Sequence, residues 1–192
     1  MTYFLDFDRT VFDYDSYLAY FTDIPAFAPF KERILSLSGK NDDVSTQKRR
    51  EMFEELDIWY EKGGYKFTPG ELQRFMFPDA FDFLRAHGKD SVIITSGGTS
   101  TLFQEDKIKS AGAAEMVAEV RYLHGRNLLK GSEILALCGR YKEPFVFIDD
   151  LVEQLDHVAA AVPKISLFEI RRDGKAGSGK YPVIRLLNEL PI

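Results

Sequence analysis

Short apolar segments alternate with helix-forming segments along most of the chain, and this alternation limits the possible folds more than any other feature. Five apolar runs have the length and continuous apolar character of buried strands, at 3–7, 91–95, 116–123, 144–148 and 165–170. A predicted helix precedes each of the last four, at 79–87, 100–110, 132–138 and 151–161. Because strands that are apolar on both sides must be covered on both sides, the pattern predicts a three-layer α/β fold with an open, parallel, Rossmann-like sheet.

Residues 13–75 break this alternation, since they show helical patterns and no convincing buried strand. Helices are predicted at 15–21, 29–37 and 45–62, with a polar, turn-forming loop at 38–43. We therefore predict an α/β core domain formed by residues 1–12 and 76–192, with a small helical insertion at 13–75. The aromatic residues of the insertion are expected to form a small core or to face the crevice of the core domain. They include Tyr14, Tyr17, Phe21, Phe27, Phe30 and Trp59.

The composition restricts the classes of partner. The chain has 192 residues, of which 45% are hydrophobic and 29% are charged, as expected for a packed, soluble domain. Its net charge of -5 disfavours binding to nucleic acid. The single cysteine, Cys138, allows no internal disulfide framework; we expect it to be buried in a cytoplasmic protein. Acids interrupt the chain too often for a membrane span, and no leader peptide is expected at the N-terminus.

The first apolar run ends in two carboxylates, Asp6 and Asp8, which lie two positions apart. They would share one face if the strand continued, and a turn after Asp6 would also let both reach one ligand. A buried strand that ends in acids must pair them, protonate them or bind a metal, and a divalent cation is the simplest solution. For an isolated Asp-x-Asp pair, however, the simpler interpretation is one helix cap and one solvated acid.

A second acidic pair, Asp149 and Asp150, follows the apolar run at 144–148. Because the carboxyl ends of parallel strands meet at one edge of a sheet, this pair is predicted to lie beside Asp6 and Asp8. Four carboxylates in one crevice repel one another, and Mg²⁺ with oxygen ligands would compensate their charge. One member of the later pair can instead cap the following helix.

Two further groups occupy positions that suit phosphate binding. Thr95 ends the second apolar run, and Ser96 and Gly97 follow it before a helix, where hydroxyl groups and a permissive glycine can hold a phosphate oxygen. Lys130 lies just ahead of the helix that leads to the acidic strand. Each signal alone is weak, because such loops commonly only turn the chain and most lysines are exposed.

In their order along the chain, these groups resemble the motifs of the haloacid dehalogenase (HAD) superfamily. The family pattern is D-x-D-x-[TV] after the first strand, Thr or Ser after the second, Lys at the start of a later helix, and a final acidic pair. The matching residues are Asp6, Asp8 and Thr10, then Thr95 or Ser96, then Lys130, then Asp149 and Asp150. The resemblance covers residues 1–12 and 76–170, and it implies that the helical insertion is a cap between the first and second motifs.

The resemblance implies a phosphatase that hydrolyses a small phosphomonoester through an aspartyl phosphate. Asp6 would be the nucleophile, and Asp8 would protonate the leaving alcohol and then deprotonate the attacking water. Lys130 would offset charge on Asp6 and on the phosphoryl oxygens. The implied substrate-binding residues are Thr10, Thr95, Ser96 and Gly97, with a slight preference for Thr95 over Ser96 as the phosphate-binding hydroxyl.

The resemblance also implies the ligands of the metal. Mg²⁺ would be held by the Asp6 carboxylate, the Asp8 backbone carbonyl and Asp150, while Asp149 would either ligate the ion or orient a water. Asp8 disfavours a dehalogenase, because displacement of halide needs no acid for the leaving group. A phosphomutase and a non-catalytic binding module on the same fold stay open as alternatives.

Other candidates are weaker. Lys107 and Lys109 are rivals of Lys130 but fall within a predicted helix, and Lys142 is too close to the acidic strand. The segment 174–180 matches the spacing of a phosphate-binding P-loop, but Tyr181 follows it where Ser or Thr would be needed. We interpret it as an exposed loop before a short terminal helix that begins near Pro182.

Overall fold

The chain folds into alternating strands and helices. The structure is a computed structural model that describes residues 1–37, 43–96, 101–124 and 129–191. The strands of these residues are β1 (Thr2–Leu5), β2 (Ser91–Ser96), β3 (Glu119–Leu123), β4 (Phe145–Asp149), β5 (Ser166–Ile170) and β6 (Val183–Ile184). Their α-helices are α1 (Tyr14–Asp23), α2 (Ala28–Leu37), α3 (Asp43–Glu61), α4 (Pro78–His87), α5 (Leu102–Ser110), α6 (Lys130–Cys138) and α7 (Val152–Ala161). Of the helices in the described part of the chain, none is both long and apolar enough to cross a membrane.

All six strands form one parallel sheet in the order β3-β2-β1-β4-β5-β6. The chain builds outward from β1 to β3, then returns to the other side of β1 and continues from β4 to β6. The direction of winding reverses between β1 and β4, and in such sheets a ligand crevice is expected outside the carboxyl ends of the strands at this point. The predicted open α/β sheet is therefore confirmed, and the ends of these two strands are the expected position of a ligand.

Helices cover both faces of the sheet because the side chains of the strands alternate between the faces. On one face, Leu5 and Ile148 belong to a buried cluster that includes side chains of α4 and α5. On the other face, Phe4 and Phe147 pack with buried side chains of α6 and α7. This arrangement explains why the central strands β1, β2 and β4 read as continuous apolar runs, whereas β3 at the sheet edge carries Glu119 and Arg121.

Apart from the terminal helix near Pro182, the predicted strands and helices are present, with their described ends shifted by at most three residues. The predicted loop at 38–43 lies outside the described residues except for Asp43, which begins α3. Cys138 is only partly buried, contrary to the prediction, because it ends α6 where the helix reaches the surface.

The predicted terminal helix does not begin near Pro182, since Val183–Ile184 forms β6 beside β5, and only one turn of 3-10 helix follows at Leu187–Glu189. The backbone N–H of Glu169 donates to the carbonyl of Pro182 at 2.9 Å, and that of Arg171 donates to Ile184 at 2.9 Å. These bonds satisfy backbone groups along β5 that would otherwise form an open sheet edge. The sheet edge thus determines the structure of a segment too short to be stable as an isolated helix.

The P-loop-like segment between β5 and β6 binds a carboxylate of the protein itself. Both the backbone N–H and the hydroxyl of Ser178 donate to Glu169, at 2.8 and 2.6 Å. Lys180 donates to Asp156 at 2.7 Å. Because its donors already serve these acids, the loop has a structural explanation that needs no nucleotide.

The helices α1 to α3 pack onto the sheet through a continuous aromatic cluster. Phe7 and Phe12, which follow β1, belong to the same buried cluster as Phe21 and Phe27 of the 13–75 segment. The ring centroids of Phe12 and Tyr17 lie 5.3 Å apart, which joins the two parts directly. The division into domains at residues 12 and 75 stays a prediction.

Glu71 joins separate parts of the 13–75 segment through four hydrogen bonds. One carboxylate oxygen accepts from the hydroxyls of Tyr20 and Tyr65, at 2.8 and 3.0 Å. The other accepts from the backbone N–H and the hydroxyl of Thr68, at 2.8 and 2.9 Å. Burial alone would raise the pKa of Glu71, but the bonds from Thr68, Tyr20 and Tyr65 lower it below its ordinary value.

A carboxyl with a lowered pKa in the folded state stabilises the fold above its ordinary pKa, and this stability is lost as the pH falls through the folded pKa. We expect Glu71→Gln to lower the free energy of unfolding by about 1–2 kcal/mol at neutral pH, because an amide turns an N–H₂ group towards two donors. The deficit relative to wild type should shrink as the pH is lowered from about 7 towards about 4. Urea unfolding at each pH measures it, with exposed Glu61→Gln as control. A deficit that is independent of pH would contradict this account.

Candidate active site

Three carboxylates meet at the ends of β1 and β4. Leu5 lies opposite Ile148 in the parallel ladder, and the N–H of Asp6 donates to the Ile148 carbonyl at 3.0 Å. This bond keeps Asp6 beside the end of β4, where Asp149 is the last strand residue and Asp150 follows. One carboxylate oxygen from each of Asp6, Asp149 and Asp150 lies within 4.8 Å of the others. We refer to these residues as the three-acid cluster.

Lys130 contacts two members of the three-acid cluster. Its ammonium donates to Asp6 Oδ1 and, at 2.7 Å, to Asp149 Oδ2. The side chain of Lys130 is 3% exposed, so these carboxylates replace water as its partners. Burial alone would lower the pKa of Lys130, but the two carboxylates raise it above its ordinary value, and the side chain is therefore a cation.

The helix α6 carries Lys130 to the site because it packs closely against α7. A Cβ atom added at Gly131 would lie 2.5 Å from the His157 carbonyl oxygen, so only glycine permits this approach. The backbone N–H of Lys130 donates to the Gln154 side chain at 3.1 Å, which satisfies one N–H group at the start of α6. Gly131 therefore positions the lysine, although it has no side chain to contribute.

One lysine does not compensate three clustered acids, two of which are buried. Burial and the neighbouring charges of Asp149 and Asp150 raise the pKa of Asp6 well above its ordinary range, against the opposing effect of Lys130. Burial and Asp149 raise the pKa of Asp150 to about 7. Clustered carboxylates with unfavourable ionisation are suited to a hard divalent cation, which would stabilise their charged forms. The cluster can therefore hold a metal ion.

The two later acids differ in how many of their oxygens the protein already uses. Asp149 is fully buried; its Oδ2 accepts from Lys130 and its Oδ1 accepts from the Leu151 N–H at 2.8 Å. Asp149 therefore also satisfies the backbone N–H of Leu151, just before α7. This resembles the helix-capping role that the sequence suggested for one acid of this pair. Asp150 is partly exposed at the mouth of the cluster.

Asp8 does not join the three-acid cluster through its carboxylate. Its Oδ1 and Oδ2 each accept from the Lys107 ammonium at 2.8 Å, and Gln104 Nε2 lies 3.3 Å from Oδ2. Both partners belong to α5, on the opposite side of β1 from β4. The turn after β1 thus sends the two acids of the motif to different partners.

The position of Lys107 within a predicted helix makes it a weaker candidate than Lys130 for the lysine of the motif, but the structure places it beside Asp8. A helix can present a lysine to a site from its buried side, and Lys107 is 2% exposed. A usable signal was present in the sequence, because Lys107 shares the helical stripe of Phe103, Gln104 and Ile108. A lysine within a stripe that faces the core needs an acidic partner.

The structure also distinguishes the two candidate hydroxyls after β2. Thr95 is buried, and its Oγ1 accepts from Gln104 Nε2 at 2.8 Å, which connects it to Asp8. Ser96 is exposed, since it lies at the end of β2 beyond this contact. Gly97, the other predicted residue of this loop, lies outside the described residues.

Thr10 is buried, and its hydroxyl has no hydrogen-bond partner among the described residues. Its carbonyl accepts from Arg172, at 2.7 Å from Nη2. Arg172 is also paired with Asp79 at 2.7 Å, and both side chains are largely buried. This ion pair, which was not predicted from the sequence, connects the acidic loop to α4 and to the chain after β5.

The loop after β1 contains a strained residue, Arg9, whose φ is +63°. Left-handed backbone is unfavourable for a residue with a Cβ atom and is common where a site requires a particular turn. The Arg9 guanidinium pairs with Asp15 at 2.9 Å and lies over the Tyr14 ring, 5.1 Å from its centroid. Arg9 therefore connects the acidic loop to the start of α1.

Several solved structures share this fold. A haloacid dehalogenase-like protein from Burkholderia xenovorans LB400 is 18% identical with a TM-score of 0.63, over 96% of this chain and 92% of its own. The UTR4 protein from Saccharomyces cerevisiae is 22% identical with a TM-score of 0.57, over 98% and 99% of the two chains. The HAD protein YfnB from Bacillus subtilis, solved bound to magnesium, is 15% identical with a TM-score of 0.56, over 98% and 95%.

Two further structures with this fold are dehalogenases, with TM-scores of 0.55 and 0.58. No family model matches the chain, and no curated protein matches it. At these identities the likeness shows the fold, which is that of HAD-like hydrolases and dehalogenases, as the sequence resemblance predicted.

If the three-acid cluster holds a divalent cation, Mg²⁺ should raise the melting temperature of the protein. Saturation at 100 times the Kd would add about 2.7 kcal/mol to the free energy of unfolding. We expect Asp150→Asn to abolish most of this shift, because it removes the most accessible carboxylate of the cluster. Differential scanning fluorimetry with and without Mg²⁺ measures the effect, and exposed Asp82→Asn of α4 is the matched control. Equal shifts in both variants would place the ion elsewhere.

Proposed function

We propose that the chain is a Mg²⁺-dependent phosphatase of the HAD superfamily that acts on a small phosphomonoester through an aspartyl phosphate. The observation that carries this proposal is the meeting of Asp6, Lys130, Asp149 and Asp150 at the switch point of the sheet. The fold shared with HAD-like hydrolases supports it. Elements far apart in the sequence supply the nucleophile, the cation and the acids, each at the end of a strand or the start of a helix.

In the first step, a carboxylate oxygen of Asp6 attacks phosphorus, and the bond from phosphorus to the leaving oxygen breaks. Asp8, in its protonated form, gives its proton to the leaving alcohol. In the second step Asp8 takes a proton from water as the water attacks phosphorus, which breaks the bond to Asp6 and releases phosphate. Lys130, which donates to Asp6 Oδ1, orients the nucleophile and offsets negative charge on the transferring group.

Mg²⁺ would be held by Asp6, Asp150 and the backbone carbonyl of Asp8. Asp149 would orient Lys130 and the chain before α7, because both of its oxygens already accept hydrogen bonds from them. When bound, the ion would neutralise charge on the carboxylates and on the phosphoryl oxygens. Thr95 would donate its hydroxyl hydrogen to the phosphate, since its contact with Gln104 uses the hydroxyl only as an acceptor. Thr10, Ser96 and Gly97 are the other proposed substrate-binding positions.

A phosphate ester is favoured over a carbon–halogen substrate by the environment of Asp8. Departure of an alkoxide requires a proton donor, whereas departure of halide does not. In this chain Asp8 lies at the crevice with a carboxylate 31% exposed, so a ligand can reach it. The substrate is therefore proposed to be a small phosphorylated molecule.

The mechanism predicts that hydrolysis of 4-nitrophenyl phosphate depends on Mg²⁺ and stops on addition of EDTA. Asp6→Asn should lower kcat by at least about 1,000-fold, because an amide is not a competent nucleophile. Exposed Asp90→Asn serves as the matched control and should retain wild-type kcat. Activity that survives either EDTA or Asp6→Asn would contradict the mechanism.

The choice between phosphatase, mutase and dehalogenase is tested by the products. We expect inorganic phosphate from a panel of phosphorylated small molecules and no chloride from 2-chloro acids, because Asp8 equips the site for an oxygen leaving group. Phosphate release and halide release are measured with the same enzyme preparation. Chloride release without phosphate release would favour a dehalogenase, and isomerised phosphate esters without free phosphate would favour a mutase.

A further inference from the structure

We infer that Lys107 is a positioning residue that holds the Asp8 carboxylate in one orientation for its acid and base roles. The inference rests on the proposed phosphatase function and extends it to a side chain on α5, outside the four motifs. Lys107 reaches both oxygens of Asp8 at 2.8 Å, so rotation of the carboxylate about its last bond breaks at least one contact. A carboxylate 31% exposed would otherwise sample several rotamers.

The surroundings of Lys107 show that it depends on Asp8. Its ammonium lies within 5.6 Å of the centroids of four aromatic rings, which belong to Phe7, Phe12, Tyr14 and Tyr17. The rings attract the cation weakly and replace little of the hydration that it loses at 2% exposure. Asp8 supplies the compensating charge when it is ionised, as it is after it has given its proton to the leaving alcohol, and the aromatic rings in turn keep the lysine from moving away.

We expect the fold to tolerate a hydrophobic side chain at this position. Removing one partner of a buried ion pair is costly when the other charge stays buried, but here the remaining partner, Asp8, is 31% exposed, and a side chain of similar length would pack against the same rings. Asp8 would keep its access to water after the replacement, whereas Lys107 has none. The ion pair is therefore better explained by an effect on Asp8 than by an effect on folding.

Gln104, one turn before Lys107 on α5, links Asp8 to the proposed phosphate-binding hydroxyl. Its Nε2 lies 3.3 Å from Asp8 Oδ2 and 2.8 Å from Thr95 Oγ1, and the side chain is 6% exposed. A rigid helix thus relates the acid to the end of β2. Lys130 orients Asp6 from α6, and Lys107 orients Asp8 from α5, so each acid of the motif has its own buried cation.

A double-mutant cycle tests this inference. Lys107→Met, Asp8→Asn and the double variant are compared with wild type, with exposed Lys109→Met of the same helix as control. The substrates are phenyl phosphate and 4-nitrophenyl phosphate with Mg²⁺, since the poorer leaving group depends more on the acid. The readout is kcat/KM, which reports phosphorylation of the enzyme, together with the melting temperature.

We expect Lys107→Met to lower kcat/KM by about 100-fold for phenyl phosphate and by about 10-fold for 4-nitrophenyl phosphate. In the Asp8→Asn background the same change should cost less than about 2-fold, because no acid is left to position. Lys109→Met should match wild type. Equal losses for both esters, or a full loss in the Asp8→Asn background, would show that Lys107 acts only on the structure and would overturn the inference.

Two further outcomes are distinguished. If Lys107→Met does not fold, Lys107→Gln replaces it in the cycle, and the same non-additivity and leaving-group dependence are required. If wild type hydrolyses neither ester, the proposed function fails and this inference fails with it. If wild type and Asp8→Asn behave as the mechanism requires but the Lys107 variants are additive with Asp8→Asn, only the positioning role fails.

Discussion

The crowding of negative charge at the carboxyl ends of β1 and β4 is the constraint on which the site depends. Parallel pairing brings Asp6 and Asp149 side by side. Both side chains are buried, so water cannot solvate their charges. Lys130 supplies one positive charge, and the close contact of Gly131 with α7 allows it to do so. The remaining excess of negative charge makes this edge of the sheet suitable for a divalent cation.

A second set of ion pairs ties the loop after β1 to its surroundings. Lys107 holds Asp8 from α5, and Arg172 holds the Thr10 carbonyl while paired with Asp79 of α4. These contacts stabilise a loop that contains a left-handed residue, Arg9. The motif is therefore supported by elements on both sides of β1, and its geometry depends on parts of the chain that carry no motif.

Local patterns and topology account for what could be predicted. Continuous apolar runs predicted the sheet, and the rule that strand ends meet at one edge predicted that Asp149 and Asp150 would lie beside Asp6 and Asp8. Asp6 lies with the later pair, whereas the Asp8 carboxylate pairs with Lys107 instead. The same rules failed for β6, whose two residues form a strand only because β5 offers an open edge. They did not identify Asp8 as the partner of Lys107, because a helical stripe indicates that the lysine is buried but not which acid lies opposite it.

The sequence alone determined the alternation of strands and helices, the acids that end β1 and β4, and the lysine that begins α6, because these depend on periodicity and on neighbours in the chain. Only the tertiary structure decided that Asp8 turns to Lys107, that Thr95 is connected to Asp8 through Gln104, and that Arg172 supports Thr10. The physical reason is that a buried charge selects its partner by distance and desolvation. Both are properties of the packed molecule that separation along the chain does not encode.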